Sequence, residues 1–315
     1  MVQRIDRLVT LFGGGGFVGR YVTQALHRSG VRVRIAQRDP RRAFFLKPLG
    51  GLGQTQFVSV DIRDPDRVAA AVRNSDAVVN LVGVLKGDFQ RLHVDGARNI
   101  AEACAAEGVS SLVQISAIGA DPESASAYGR TKGEAEQAIR AAFPSATIMR
   151  PSIVFGREDN FLNRFAGMAR VAPVLPVIRG GVKFQPVYAA DVAKAVTAAA
   201  LDPRNHGGKT YELGGPQVLT MRELMEWIGE TTGRNRTLFD IPDAIAGLLA
   251  RGIGWVPGAP ITWDQWLMLQ RDNVVADRAE GLRSFGIAPT PMGAVSEGWL
   301  TAYRRRGRFA AKQPY

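Results

Sequence analysis

Short apolar runs alternate with segments of helical period through the first half of the chain. Leu8–Phe12, Val31–Ala36, Gln56–Val60, Ala77–Val82, Ser111–Ser116 and Thr147–Arg150 predict strands. Between them Phe17–Ser29, Pro65–Arg73, Phe89–Glu107 and Ala127–Ala142 predict helices. The strand runs are nearly continuous in apolar residues, as a parallel sheet covered by helices on both faces requires. Asp64-Pro65 marks a helix start with proline at its first position, and Gly30 and Gly108 follow helices where a left-handed residue is needed. The expected architecture is α/β, a doubly wound parallel sheet.

Beyond Arg150-Pro151 the pattern loosens. A helix over Phe161–Ala169 is followed by a strand over Lys183–Tyr188, a helix beginning near Asp191 with that residue as N-cap, and helices over Met221–Thr232 and Pro242–Arg251. An aromatic stretch, Trp255–Trp266, comes after them. The expected division is therefore residues 1–150 as one domain and 151–315 as a smaller mixed lobe that closes over the sheet edge and sends segments back to the first.

Composition narrows the class. The chain has 315 residues, 46% of them hydrophobic, and no apolar run long enough for a membrane span. The first strand begins within ten residues of Met1, leaving no room for a signal or transit peptide. The one cysteine, Cys104, lies in an apolar stretch and reads as buried and structural, and the three histidines, His27, His93 and His206, have no metal-ligand spacing. The net charge of +11 is spread through the chain, with two visible concentrations, at Arg38, Arg41 and Arg42 and in the tail Arg304–Lys312. No nucleic-acid-binding motif accompanies it, so no nucleic-acid partner is expected.

The first candidate for chemistry is the turn after the first strand, Gly13-Gly-Gly-Gly16-Phe17-Val18-Gly19. A strand that ends in glycines and opens a helix aims unpaired N–H groups and the positive end of a helix dipole at one spot, which suits a diphosphate. Gly13 serves the tight turn, Gly16 the backbone approach to phosphate, and Gly19 the packing of helix on strand. Glycine runs also make flexible linkers, but a second strand follows here at the βαβ distance, so the sheet is expected to be Rossmann-type.

At the end of the second strand an acid would select NAD(H) through the ribose 2′-hydroxyl. Gln37 and Arg38 stand there instead, and an arginine suits a 2′-phosphate, so NADPH is expected over NADH. Asp39 keeps the alternative open. Asp61-Ile62 is positioned to reach an adenine edge or to be an ordinary loop, and Gly83 in Asn80-Leu81-Val82-Gly83 lets backbone approach a dinucleotide. Tyr128 and Lys132, at i and i+4 on one helix face, form a pair in which the ammonium lowers the phenol's pKa and can bond a ribose hydroxyl.

In this order the motifs resemble the extended or atypical branch of the short-chain dehydrogenase/reductase superfamily. The stretch Phe143–Ala166, with Gln185-Pro-Val-Tyr-Ala-Ala-Asp191-Val, further resembles the NADPH-binding accessory subunit of respiratory complex I, the ninth alpha-subcomplex subunit and its bacterial relatives. That resemblance implies a cofactor site of Gly13, Gly16, Phe17, Val18, Gly19, Arg38, Asp61, Ile62, Leu81, Val82, Gly83, Ser116, Tyr128, Lys132, Pro151 and Ile153. It implies other complex I subunits as partners, on the cytoplasmic face of the inner membrane. Anionic lipid headgroups are a possible contact of residues 241–266 and of the basic tail 304–312; the alternative is that the aromatics are core of the small lobe and the arginines a solvated end.

One departure bears on activity. Catalytic members of the superfamily deliver a serine or threonine from the fifth strand to the substrate oxygen. Here Ala117 takes that position, with Ser116 one residue early and aimed at the other face. Three functions follow as alternatives: a cofactor-holding subunit with little or no turnover, an active NADP-dependent reductase or sugar-nucleotide epimerase or dehydratase using Tyr128 and Lys132, and an NADPH redox sensor.

Overall fold

The computed structural model describes residues 7–254, 256, 261–305 and 307. In chain order the first elements are β1 (Leu8–Phe12), α1 (Phe17–Arg28), β2 (Arg32–Gln37), a 3₁₀ segment (Pro40–Leu49), β3 (Thr55–Ser59), α2 (Pro65–Val72) and β4 (Ala77–Asn80). A π-helical turn (Gln90–Asp95) then leads into α3 (Gly96–Ala106), followed by β5 (Ser111–Ile115), α4 (Ala127–Ala142) and β6 (Thr147–Pro151). Next come β7 (Val154–Phe155), α5 (Leu162–Val171), β8 (Val174–Ile178), β9 (Lys183–Phe184), β10 (Val187–Tyr188), α6 (Ala189–Leu201), α7 (Pro203–His206) and β11 (Thr210–Leu213). The last are β12 (Leu219–Thr220), α8 (Met221–Thr232), β13 (Thr237–Ile241), α9 (Asp243–Ile253), α10 (Trp263–Met268) and α11 (Met292–Leu300).

The chain divides into two compact units, one of residues 1–151, 189–213 and 276–288, the other of 152–188, 214–275 and 289–315. The first is built on a seven-stranded sheet in the order β11-β6-β5-β4-β1-β2-β3, every neighbouring pair parallel. Its central strand β1 is buried at all five positions, between β2 and β4. The chain moves one way from β1 and then the other, so the strand order reverses beside β1. At such a switch point the loops after the strands diverge and leave a crevice. Cys104 lies fully buried in the core on α3, where burial raises its thiol's pKa far above normal.

The second unit holds three two-stranded pairs, β7 with β10, β9 with β12 and β8 with β13. Its core gathers Phe155, Leu162, Leu224 and Ile228 in one cluster and Leu175, Val177, Phe184 and Met225 in another.

Several expectations need correction. The strand expected over Lys183–Tyr188 is two strands with different partners, β9 antiparallel to β12 and β10 parallel to β7. Pro186 has no N–H for a ladder, and the Gln185 N–H donates to Ser152 Oγ at 3.2 Å and Asn273 O at 3.2 Å instead. Asp191 is no N-cap: α6 starts at Ala189, so Asp191 lies in its first turn, fully buried, accepting from Lys194 Nζ at 2.9 Å. The long helix expected over Phe89–Glu107 begins as the π turn, and β11 adds a seventh strand that the apolar pattern does not reveal. In the aromatic stretch Trp266 is core while Trp263 is exposed; Trp255 lies outside the described residues.

Candidate functional site

All strands of the large sheet point the same way, so the segments after β1, β2, β3, β4 and β5 emerge at one edge. The turn after β1 begins at Gly13, whose φ of +79° is accessible to glycine at little cost. Gly13 N–H donates to Ala36 O at 3.1 Å and Gly16 N–H to Gly13 O at 3.0 Å, closing the turn against β2. A Cβ on Gly19 would fall 2.4 Å from Gly14 O and 2.6 Å from Gly13 O, so only glycine lets α1 approach the turn this closely. The N-cap of α1 is Gly16; no side chain caps the helix and no acid occupies its first turn. Phe17, Val18 and Gly19 thus open a helix whose N-terminal dipole is uncompensated by its own residues, the arrangement that holds a diphosphate.

Gln37, at the end of β2, braces this turn. Its Oε1 accepts from Gly15 N–H at 3.0 Å and its Nε2 donates to Asp39 O at 2.6 Å. Arg38 is exposed. Asp39 is taken up by Arg41, with Nε to Oδ1 at 2.9 Å, and Arg42 stands 3.8 Å from its other oxygen. Asp61 is clamped by Arg63 through both carboxylate oxygens, at 2.9 and 2.5 Å. Those bonds hold its pKa down at about 2, helped by the charge of Arg38. Ile62 is buried, its side chain filling the place a Cβ on Gly96 would take. Its side chain is therefore core and leaves only backbone to face a ligand.

After β4, Asn80 Oδ1 accepts from Val82 N–H at 3.0 Å and Asn80 Nδ2 donates to Gln114 Oε1 at 2.7 Å. This turns Leu81–Gly83 across the mouth of the glycine loop: a Cβ on Gly13 would sit 3.4 Å from Leu81 C and Val82 N. A Cβ on Gly83 would sit 3.2 Å from Lys132 Nζ, so glycine there gives the lysine its room.

Helix α4 starts at N-cap Ser126, whose Oγ accepts from Gly129 N–H at 3.2 Å. Pro122 N and Ser124 Oγ would meet Cβ atoms on Gly133 and Gly129 at 2.4 and 2.7 Å, so these two glycines let the preceding loop lie flat on the helix. The adjoining stripe of the helix carries Tyr128, Lys132 and Glu136 at successive i+4 positions. Lys132 is buried, its Nζ donates to Ile115 O at 3.2 Å, and it lies 5.9 Å from the Tyr128 ring centre. Burial lowers its pKa to about 8, against an opposing pull from Glu136. A cation at i+4 beside a tyrosine ring is an arrangement that can favour a phenolate and carries donors suited to a ribose hydroxyl.

His93, which the sequence leaves without a role, forms the wall of this site. Its Nε2 accepts from Val84 N–H at 3.0 Å and its Nδ1 lies 3.0 Å from Thr131 Oγ1. Thr131 Oγ1 in turn donates to Ala127 O at 2.8 Å, so Nδ1 carries the proton and the imidazole is neutral. Desolvation and the charge of Lys132 push its pKa down to about 3. His93 stacks on Phe89 and meets the Tyr128 ring nearly edge-on, with centroids 5.6 Å apart. The only hint in the sequence is its period on the helix that follows the Gly83 loop.

Ser116, counted above among the cofactor contacts, spends its hydroxyl elsewhere. Its Oγ donates to Glu136 Oε1 at 2.5 Å, and Glu136 is itself held by Arg150 at 3.0 and 2.6 Å. Ala117 is left half-buried at the next position. Pro151 closes β6, its backbone O accepting from Ile118 N–H at 3.1 Å. Ile153 belongs to the second unit, where its O accepts from Val187 N–H at 2.9 Å and its side chain packs against the cluster of Leu175, Val177, Phe184 and Met225.

A parallel sheet with a glycine turn at its switch point and a tyrosine–lysine helix beside it defines a nicotinamide-dinucleotide-binding protein of the Rossmann type. A family model described as the NAD dependent epimerase/dehydratase family matches residues 9–214. The chain is 36% identical over 293 residues to NADH dehydrogenase [ubiquinone] 1 alpha subcomplex subunit 9 of Mus musculus, covering 90% of this chain and 77% of that protein. A ceramide reductase of Caulobacter vibrioides is 28% identical over 257 residues, 78% of this chain and 76% of its own. Among solved structures, an NADPH-dependent quinone oxidoreductase of Escherichia coli in complex with NADPH superposes with a TM-score of 0.72 over 92% of this chain and 98% of its own, at 20% identity. The chain belongs to the NAD dependent epimerase/dehydratase family and, within it, to the family of the complex I alpha-subcomplex subunit 9 proteins.

Proposed function

We propose that this chain is an accessory subunit of a membrane-bound NADH:quinone oxidoreductase that holds NADPH at the crevice between β1 and β4 and turns it over little or not at all. The observation that carries the reading is the combination of an intact cradle with a diverted hydroxyl. The glycine turn, Tyr128 and Lys132 are in place, while Ser116 Oγ is bound to Glu136. With Ala117 at the donor position and the neighbouring Ser116 hydroxyl held by Glu136, a carbonyl reduced here would develop its oxyanion without a hydroxyl donor, a loss of about 3–4 kcal/mol of transition-state stabilisation where such donors have been removed elsewhere. Tyr128 and Lys132 would then hold the nicotinamide ribose.

The NADPH preference rests on Arg38, exposed beside the end of β2, and on Asp39, whose carboxylate Arg41 engages and Arg42 flanks. With that acid neutralised, the site offers guanidinium to a 2′-phosphate. Gly13, Gly16, Phe17, Val18 and Gly19 take the diphosphate, Asp61 and the Ile62 backbone the adenine side, Leu81–Gly83 and Pro151 the ribose and nicotinamide side.

The reading puts the chain on the cytoplasmic face of the membrane by contact with other subunits; no helix among the described residues is long and apolar enough to cross it. Contact with anionic headgroups would use Leu248 and Trp263, both exposed, and Arg304 and Arg305 of the tail. Trp255, Arg306, Arg308 and Lys312 lie outside the described residues.

A second reading, an active NADP-dependent reductase, is favoured by the likeness to the ceramide reductase and by the low pKa of Lys132. One experiment separates the two. The protein is purified without added nucleotide, denatured, and the released compound identified by mass and by absorbance in the reduced-nicotinamide band. Stoichiometric NADPH, with co-purification of the quinone oxidoreductase, is the expected result. An empty site with weak, reversible binding, and turnover of a carbonyl substrate that collapses in Tyr128→Phe, would establish the enzyme instead.

A further inference from the structure

The segment between β2 and β3 is unusual for a surface connection. The 3₁₀ turn Pro40–Leu49 seats Ala43 and Leu46, three apart, fully in the core. That spacing, on a helix of three residues per turn, leaves Phe44 and Phe45 outward, 41% and 45% exposed, and Leu49, at the end of the turn after Pro48, is 39% exposed. Leu52 is fully exposed at the tip of the turn Gly51–Gln54. Four large apolar side chains thus face solvent within nine residues.

This tip is braced. Gln54 N–H donates to Gly51 O at 3.1 Å across the turn, and Gly53 sits at φ +71°. Gln54 Oε1 accepts from Gly51 N–H at 2.8 Å, while its Nε2 donates to His27 O at 3.1 Å and Val31 O at 3.0 Å. Leu52 is therefore presented in a fixed place, which removes part of the ordering cost of an anchor residue.

The surrounding charge is of one sign. From Arg38 to Phe57 there are four cations, Arg38, Arg41, Arg42 and Lys47, against one carboxylate, Asp39. Lys47 Nζ lies 3.8 Å from the Phe44 ring centre and Arg20 Cζ lies 4.7 Å from that of Phe45. With cations over the ring faces, and Phe44 also packed edge-to-face on Phe57 with centroids 5.2 Å apart, the exposed apolar surface is rimmed by positive charge. Such a rim meets carboxylate and carbonyl oxygens. A bilayer is a poorer match, because inserting Phe44 and Phe45 would carry Lys47 and Arg20 into the acyl region.

We propose that Phe44, Phe45, Leu49 and Leu52, with Arg42 and Lys47, form a docking surface for an acidic, aliphatic-bearing face of a partner protein, with Leu52 as its anchor. This inference rests on the accessory-subunit reading and names the surface through which that subunit attaches.

The test uses the full chain and the membrane-bound NADH:quinone oxidoreductase prepared from cells lacking it. Binding is measured by co-sedimentation of detergent-solubilised enzyme over a salt series. Leu52→Ser and the charge reversals Arg42→Glu and Lys47→Glu are compared with the unaltered chain, with thermal unfolding and far-ultraviolet circular dichroism as fold controls. The expected result is association weakened about 10-fold or more by Leu52→Ser, and by the reversals most strongly at low salt. Variants that keep their fold and associate as tightly as the unaltered chain would overturn the surface and leave the accessory-subunit reading standing. If the unaltered chain does not associate, both fall. Loss of binding to phosphatidylcholine/phosphatidylglycerol vesicles in Leu52→Ser, with binding to the enzyme unchanged, would assign the patch to the membrane and overturn the proposal.

Discussion

Ser116 and Glu136 form the closest polar contact of the buried network under α4, hydroxyl to carboxylate at 2.5 Å. Glu136 also receives Arg150, so the serine completes the solvation of a buried ion pair. A hydroxyl committed this way is not available to a substrate oxygen beside Tyr128. Ser116→Ala is expected to lower stability by ~1.5–3 kcal/mol, the worth of a hydrogen bond to a charged group, while leaving NADPH affinity unchanged. Denaturant melts and fluorescence titration of the same protein check both halves; a fall in affinity would return Ser116 to the cofactor site.

Arg38 decides between the two nicotinamide cofactors if it meets the 2′-phosphate. Arg38→Ala is then expected to weaken NADPH binding by about 10-fold, roughly 1.4 kcal/mol and just below the range for a buried charge-assisted bond, as suits an exposed guanidinium, and to leave NADH binding nearly as it was. Parallel titrations with the two reduced cofactors give the ratio.

His93 is buried and neutral, with its pKa lowered to about 3 from an ordinary 6.5. Between those values the unfolded chain binds the proton and the folded chain does not, so stability falls as pH drops through this window, by up to about 1.4 kcal/mol per pH unit. His93→Phe removes that dependence, though it costs the bonds to Val84 and Thr131. The measurement is the slope of unfolding free energy against pH between 6.5 and 4, which should be shallower in the variant.

Lys132 pays for its position by burial. Its pKa of about 8 lies below the ordinary 10.5, so the unfolded chain is the better proton acceptor between these values. Stability from this group therefore rises as pH goes from 8 to 10.5 and is lost as pH falls through 8. Lys132→Met keeps the length without the charge, and Ile115 O retains a bond from Gln114 Nε2 at 2.8 Å. The variant is expected to melt higher than the parent at pH 7 without nucleotide, yet to bind NADPH at least about 10-fold more weakly. Paired melts with and without NADPH test it.

Gly19→Ala places a methyl against two backbone oxygens, neither of which can yield without moving the turn. Loss of detectable dinucleotide binding with a lower melting temperature is expected, read by the same melts; near-normal binding would mean the turn is not the phosphate cradle.

Local sequence determined much of this protein. The runs Leu8–Phe12 and Ala77–Asn80 can be buried only in a sheet covered on both faces, and Gly13, Gly19, Gly30 and Gly108 punctuate it by backbone sterics that operate within a few residues. Tyr128 and Lys132 share a face because a helix repeats every 3.6 residues. Only the tertiary structure decided what depends on neighbours distant in the chain. It brought Val84 and Thr131 to His93, gave Ser116 to Glu136, buried Ile62 under Gly96, broke the Lys183–Tyr188 run between two partners, and set Ile153 in the other unit. Each of these is a contact between side chains or strands whose meeting is set by the packing of the whole sheet, and no local period or spacing encodes it.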